Sequence, residues 1–170
     1  MKNFLSFSAL MCTVVAVFQF CVKPPDYPDE PVIKFKTLTK NTQLQSAIDD
    51  TDTLLVTLEF TDGDGDLGSA DKANDISVID SRDNSGDTLS LPLIEQQGAG
   101  NGISGEISFV LPPTCCIPPP LNGIPLPPCD PSVAPNFLRD TVVYRVRIRD
   151  RAGHLSNEVA LPPIILICKQ

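Results

Sequence analysis

The feature that most restricts the fold is a regular alternation of side chains between residues 141 and 150. Apolar side chains recur at every second position, at Val142, Tyr144, Val146 and Ile148. The positions between them are mainly basic: Val143, Arg145, Arg147 and Arg149. Because successive side chains of a strand point to opposite faces, this pattern predicts an antiparallel β-strand with one buried face and one solvated face.

Other segments of the chain predict shorter strands, and none has a convincing helical period. The predicted strands are 32–39, 53–61, 76–81, 88–94, 103–111, 141–150, 155–160 and 164–167. Short strands separated by turn residues are typical of a sandwich. The sequence therefore predicts an all-β, antiparallel β-sandwich of about seven strands.

The N-terminus predicts export and a lipid anchor. Residues 1–21 have one basic residue, Lys2, followed by an apolar run that ends at Cys21, which we interpret as a lipoprotein-type signal peptide with Cys21 acylated. Phe20 is larger than the residue usual before such a cysteine. The alternative is a retained N-terminal membrane anchor. Residues 22–31 are rich in proline and acids and predict an extended tether, and 32–170 form one domain.

The charge balance excludes one class of partner. Without residues 1–21 the chain has 12 basic and 21 acidic side chains, a formal net charge of −9. An acidic protein of this kind is not expected to bind nucleic acid or anionic lipid as its main partner.

Four cysteines beyond Cys21 predict two disulfides in an exported protein. They are Cys115, Cys116, Cys129 and Cys168. Adjacent cysteines rarely bond to each other, so we expect one of Cys115 and Cys116 to pair with Cys129 and the other with Cys168. The alternative is a metal site of four thiolates, although the spacing does not fit the usual pairs.

Segment 111–135 differs in kind from the rest of the domain. It contains ten of the 17 prolines, which cannot donate to a β-ladder, so we expect an ordered loop that leaves the sandwich. This loop is either a binding surface or a cover over a sheet edge.

Residues 61–68, Thr-Asp-Gly-Asp-Gly-Asp-Leu-Gly, carry the strongest chemical signal. Asp62, Asp64 and Asp66 alternate with glycines, so a turning backbone can aim all three carboxylates at one point. Ca²⁺ is the expected ion because it prefers oxygen ligands. An EF-hand is excluded because Leu67 and Ala73 stand where that loop needs glycine and glutamate. The alternative is a solvated Asp-Gly turn without metal.

Four stretches together resemble a group of uncharacterised outer-membrane lipoproteins from Bacteroidota. They begin at Cys21, at Phe60, at Asn101 and at Asp150, and the last reads Asp-Arg-Ala-Gly-His-Leu-Ser-Asn. The last stretch is also similar to the final hairpin of bacterial immunoglobulin-like domains, where asparagine is usual in place of His154. The resemblance implies a cell-envelope location and an immunoglobulin-like sandwich, and it implies no activity.

In an immunoglobulin-like sandwich the loops after strands 53–61 and 141–150 lie at the same end. We therefore expect Asp150 to join Asp62, Asp64 and Asp66. Asp71 and Asp75 follow closely in sequence and are expected to complete the ligands.

Two further features have alternative interpretations. Arg145, Arg147 and Arg149 form a basic stripe, which is either a partner-binding surface or a set of cross-strand pairs with acids such as Glu59 or Glu158. The lone histidine, His154, is interpreted as a turn residue, because no motif of an activated nucleophile accompanies it.

These observations predict a non-catalytic lipoprotein of the outer membrane, on its periplasmic face or at the cell surface. We expect it to be an accessory or binding subunit of an outer-membrane protein complex, with one loop end stabilised by Ca²⁺. The alternative is a Ca²⁺-dependent module that binds carbohydrate or peptide, although the absence of tryptophan weakens a sugar-stacking surface. A carboxylate-based hydrolase is a weaker third possibility.

Overall fold

The structure is a computed structural model that describes residues 26–46, 52–71, 74–95, 102–130 and 132–168. The predicted signal peptide, Cys21 and the first part of the predicted tether lie outside the described residues. Ten strands and no α-helix occur in the described ranges. The strands are β1 (Val32–Leu38), β2 (Thr42–Leu44), β3 (Leu54–Asp62), β4 (Asn74–Asp80), β5 (Gly86–Ser90), β6 (Ile103–Leu111), β7 (Arg139–Val142), β8 (Tyr144–Ile148), β9 (Val159–Ala160) and β10 (Ile164–Ile167).

The strands form three sheets around one core. Their orders are β1-β3-β6, β5-β4-β8-β9 and β2-β10-β7. All strand pairs are antiparallel except β2 with β10. Buried side chains of the first two sheets, such as Leu58, Ile107, Val78 and Val146, belong to one continuous apolar cluster. This arrangement confirms the predicted all-β, sandwich-like fold.

The number of strands and sheets differs from the prediction of about seven strands. The predicted strand 141–150 is interrupted at Val143, because its first part pairs with β10 and its second part with β4. The predicted strand 155–160 is a strand only at Val159–Ala160. Its earlier part has one isolated bridge, Leu155 with Arg149, and the Asn157 side-chain amide donates to Ile33 O (2.9 Å) and accepts from Ile33 N (2.8 Å).

The short strand β2 is absent from the predicted strands because its pattern is inverted. The inward residue is Gln43, which is 1% exposed, whereas Leu44 is 44% exposed. The Gln43 side-chain nitrogen donates to Asp52 O at 2.7 Å, so the burial of this nitrogen is compensated by a hydrogen bond. The sequence of β2 therefore has no alternation of apolar side chains from which a strand could be predicted.

The two predicted disulfides are present, and one of them attaches the proline-rich loop to the end of β10. Cys115 pairs with Cys129, and Cys116 pairs with Cys168 directly after β10. At the far end of the loop, Leu121 and Ile124 form a two-residue hairpin turn with reciprocal backbone hydrogen bonds of 3.0 Å. Their side chains are 62% and 67% exposed, so this tip does not cover a sheet edge.

A mostly buried ion network fixes the base of the same loop. The Arg82 guanidinium contacts Asp80 and Asp140, each with a shortest N–O distance of 2.5 Å. It also donates to Cys115 O at 3.0 Å, and Ile117 N donates to the Asp140 carboxylate at 2.9 Å. Sequence reasoning missed this network because Arg82 lies in a turn between two strands, where a charged residue is unremarkable.

Among the described residues, no helix has the length and the apolar character needed to span a bilayer.

Candidate metal centre

Four carboxylates from two distant parts of the chain meet at one end of the sandwich. One oxygen each of Asp62, Asp64, Asp66 and Asp150 can be chosen so that all lie within 4.8 Å of one another. Asp62 ends β3, and Asp150 follows β8 closely. The group therefore lies where the chain leaves two neighbouring strands of the opposing sheets.

The glycines of the acidic loop are required by backbone geometry. Gly65 and Gly68 have φ angles of 70° and 72°, in the left-handed region that favours glycine. A Cβ atom at Gly68 would lie 2.1 Å from Pro92 O. Between them, Leu67 is fully buried in the core and anchors the loop. The glycines are thus required by the backbone conformation of the loop. Their alternation with aspartates also presents the carboxylates.

Hydrogen bonds hold the two loops against each other. Ala152 N donates to Asp66 Oδ2 at 2.8 Å, and Arg151 N donates to Asp66 O at 3.3 Å. The Arg151 guanidinium donates to Gly68 O at 2.7 Å. Within the acidic loop, Asp66 N donates to Asp62 Oδ2 at 2.9 Å. These hydrogen bonds hold the two loops, and the carboxylates on them, in position without an ion.

Asp62 is the most informative residue of the group. It is fully buried, and its Oδ1 atom has no hydrogen-bond partner in the described structure. Burial, followed by repulsion from Asp64, raises the pKa of Asp62 to about 6. Asp66 Oδ1 is likewise buried without a partner among the described residues. A buried carboxylate oxygen without a donor costs free energy, and a cation among these atoms would remove that cost.

His154 lies beside the group and offers one nitrogen ligand. Its Nδ1 atom is 2.8 Å from Asp150 Oδ2, and its backbone N–H donates to Asp150 Oδ1 at 2.7 Å. The hydrogen bond to Asp150 raises the pKa of His154. Asp64, Asp150 and His154 also have ligand atoms within 4.8 Å of one another. His154 lies in the turn, as interpreted from the sequence. Its proximity to the carboxylates of Asp64 and Asp150 was not predicted.

Two of the predicted ligands lie apart from the group. Asp71 and Asp75 are in neither set of side chains that come within 4.8 Å of one another among the described residues. Asp75 is buried beside Ser69, whose Oγ is 3.5 Å from Asp75 Oδ2, and burial raises the pKa of Asp75. The backbone carbonyl of Asp75 accepts from Arg149 N at 2.7 Å and so continues the pairing of β4 with β8.

The chain before β1 crosses the acidic loop, which the sequence does not indicate. Gly63 N donates to Pro28 O at 2.8 Å. A Cβ atom at Gly63 would lie 2.4 Å from Tyr27 O, and one at Gly102 would lie 2.9 Å from Tyr27 Cδ2. At least the end of the predicted tether (22–31) is therefore packed against the domain.

The basic stripe on β8 is paired with an acid. Glu158 lies 3.4 Å from Arg147 and 3.8 Å from Arg145. Glu59 contacts Lys36 at 3.3 Å. The cross-strand pairing expected for Glu158 is present, and partner binding by Arg145, Arg147 and Arg149 stays a prediction.

A cavity of about 320 Å³ lies elsewhere, between β4, β5 and segment 112–114. Val78, Leu89 and Tyr144 are among its lining residues, and none of the four clustered carboxylates is. It adjoins Asp80, at the opposite end of β4 from Asp75. This cavity is therefore separate from the candidate metal centre.

Comparisons of the chain with protein-family models, with curated proteins and with solved structures give no match.

Proposed function

We propose that this protein is a non-catalytic, lipid-anchored module of the outer membrane, in which Ca²⁺ holds one loop end of an immunoglobulin-like sandwich rigid. Its role is that of an accessory or binding subunit of an envelope protein complex. The observation that carries the metal proposal is the convergence of the carboxylates of Asp62, Asp64, Asp66 and Asp150, of which Asp62 is fully buried and has an Oδ1 atom without a partner among the described residues.

The ligand chemistry favours a hard cation such as Ca²⁺ over Zn²⁺. All four members of the larger group offer carboxylate oxygens, which suit Ca²⁺, Mg²⁺ and Mn²⁺, whereas Zn²⁺ prefers nitrogen and sulfur. Ca²⁺ accepts six to eight ligands in flexible geometry, so the remaining positions can go to backbone carbonyls and water. The four cysteines that might have bound a soft metal are paired in disulfides.

The strand order supports the immunoglobulin-like assignment. The sheets β1-β3-β6 and β5-β4-β8-β9 have the order expected when strands A, B and E face strands C′, C, F and G. In this assignment the additional sheet β2-β10-β7 arises where strands F and G are each interrupted. The proposed location rests on the predicted signal peptide and Cys21, and on the resemblance of four sequence stretches to outer-membrane lipoproteins from Bacteroidota.

The alternative of a Ca²⁺ ion that touches a carbohydrate or peptide ligand has less support. Such an ion needs an accessible coordination position, but Asp62 is 0% exposed and Asp150 is 4% exposed. The cavity beside Tyr144 contains none of the clustered carboxylates. Two buried and two half-buried ligands instead suit an ion whose effect is on the loops themselves.

Isothermal titration of the purified protein with Ca²⁺ tests the proposal. We expect saturable binding of one ion per chain, and its loss in the double variant Asp62→Asn/Asp66→Asn. The double variant Asp87→Asn/Glu95→Gln is a matched control, because it removes the same charge at two exposed positions outside the group. Absence of binding at millimolar Ca²⁺ would overturn the proposed metal site, and equal loss in the control would show that only net charge matters.

A further inference from the structure

The segment directly before β1 and the candidate metal centre are in contact, and the contact is made by backbone. Gly63, which lies between two of the clustered aspartates, donates its N–H to Pro28 O at 2.8 Å. The approach is so close that a Cβ atom at Gly63 would lie 2.4 Å from Tyr27 O and 2.6 Å from Pro28 O. Pro31, at the end of the segment, is buried.

The side chain of Tyr27 extends this contact to the next loop. A Cβ atom at Gly102 would lie 2.9 Å from Tyr27 Cδ2 and 2.8 Å from Asp62 O. Tyr27 thus lies over the two glycines that flank the backbone of Asp62. The segment and the acidic loop pack so closely that there is no room between them even for a methyl group.

The charges of the segment oppose this contact when no cation is present. Asp29 and Glu30 are exposed acids next to the docked residues. They directly follow Pro28, whose carbonyl accepts from the N–H of Gly63 between two of the clustered aspartates. Two more negative charges are therefore held near four carboxylates, and like charges at close range repel. A divalent cation among the carboxylates would turn this repulsion into attraction.

We infer that the cation docks segment 26–31 onto the acidic loop, and that its removal releases the segment. The ion would thereby set the direction in which the chain leaves the sandwich on its N-terminal side. This inference rests on the proposed Ca²⁺ site but concerns a different property, the order of the preceding chain.

Hydrogen exchange of the purified protein, with Ca²⁺ and with a chelator, measures the docking. The reporters are the amides of Tyr27, Asp29 and Glu30, and the amide of Gly63, whose acceptor is Pro28 O. We expect Ca²⁺ to slow their exchange by about tenfold, within the usual range for coupling between two sites. In the Asp62→Asn/Asp66→Asn variant, Ca²⁺ should have no effect on these amides.

Because coupling is reciprocal, loosening the segment must weaken Ca²⁺ binding. We expect Tyr27→Ala to lower the Ca²⁺ affinity about fivefold or more, since it leaves all four carboxylates in place. Leu121→Ala is the control, a truncation of an exposed apolar side chain in the proline-rich loop, and should leave the affinity unchanged.

A second matched pair of variants tests the effect of the negative charges in the segment. Asp29→Asn removes the acid that directly follows Pro28 and should make the segment more protected in chelator, whereas Asp26→Asn removes the same charge three residues earlier and should change exchange less. Normal Ca²⁺ binding with unchanged exchange of the segment would overturn this inference and leave the proposed function standing. A protein that binds no Ca²⁺ would overturn both.

Discussion

Arg82 illustrates how one residue can fix a loop that has little regular structure of its own. Its side chain is 12% exposed and lies between Asp80 and Asp140, which are 7% and 14% exposed. Burial works against the charged form of Arg82, but the hydrogen bonds to both aspartates outweigh it, and the pKa of Arg82 is raised. The network joins the β4–β5 turn to β7 and to the base of the proline-rich loop.

We expect Arg82→Met to lower the free energy of unfolding by about 3–5 kcal/mol, because two largely buried carboxylates would lose their cation. Urea denaturation measures the change. Arg147→Met is the control: Arg147 is 46% exposed and pairs with Glu158, so its loss should cost at most about 1 kcal/mol. Equal losses for the two variants would show that the Arg82 network adds no more to stability than an exposed ion pair does.

Residues also show why the candidate site was only partly predictable. Asp150 is predicted near Asp62 because, in an immunoglobulin-like sandwich, the loops after strands 53–61 and 141–150 lie at the same end. The prediction of Asp71 and Asp75 rests on sequence proximity alone, which does not fix the direction of a side chain: Asp75 points inward, but its carboxylate lies beside Ser69. The contact of Tyr27 and Pro28 with Gly63 has no sequence signal, because it depends on backbone atoms that every residue has.

At the scale of elements, alternation predicted the long strands well and the short ones poorly. β6 has the predicted bounds 103–111, and the apolar face of β8 is buried as expected. β9 has two residues and β2 has three, which is too few for a period of two to be visible. Such strands exist because neighbouring elements supply their partners, so tertiary structure decides them.

The two disulfides are expected to contribute unequally. The Cys116–Cys168 bond spans 52 residues and joins the loop to the end of β10, whereas Cys115–Cys129 spans 14 residues within the loop. From the entropy of loop closure, we expect Cys116→Ala/Cys168→Ala to cost about 4 kcal/mol and Cys115→Ala/Cys129→Ala about 3 kcal/mol.

Chemical denaturation of both double variants checks this order. The first pair should also lose packing, because Cys116 and Cys168 are buried members of the core cluster. A larger loss for the Cys115–Cys129 pair would contradict the idea that Cys116 and Cys168 attach the loop to the sandwich.

For the whole molecule, a cation at the candidate metal centre would offset the repulsion among acidic side chains. The chain carries a formal net charge of −8, and four acids meet at one end of the sandwich with Asp62 fully buried. Without a cation, the repulsion and the unpartnered oxygen of Asp62 favour the unfolded state, in which every carboxylate is hydrated. A cation that binds only the folded chain shifts this balance by mass action.

Thermal unfolding by calorimetry should therefore depend on Ca²⁺. At a Ca²⁺ concentration of about 100 times the Kd, the folded state gains about 2.7 kcal/mol. For a domain of this size the gain corresponds to a rise in Tm of roughly 5–11 °C over the protein in chelator. Mg²⁺ should give a smaller rise, because it demands near-ideal octahedral geometry and gives up its bound waters reluctantly, whereas Ca²⁺ accepts carboxylates in flexible geometry. A Tm that is the same in Ca²⁺ and in chelator, or a rise that persists in Asp62→Asn/Asp66→Asn, would mean that these acids do not hold the ion. The order of the two metals separates a coordinated ion from general screening of the negative charge, since screening treats the two divalent ions alike.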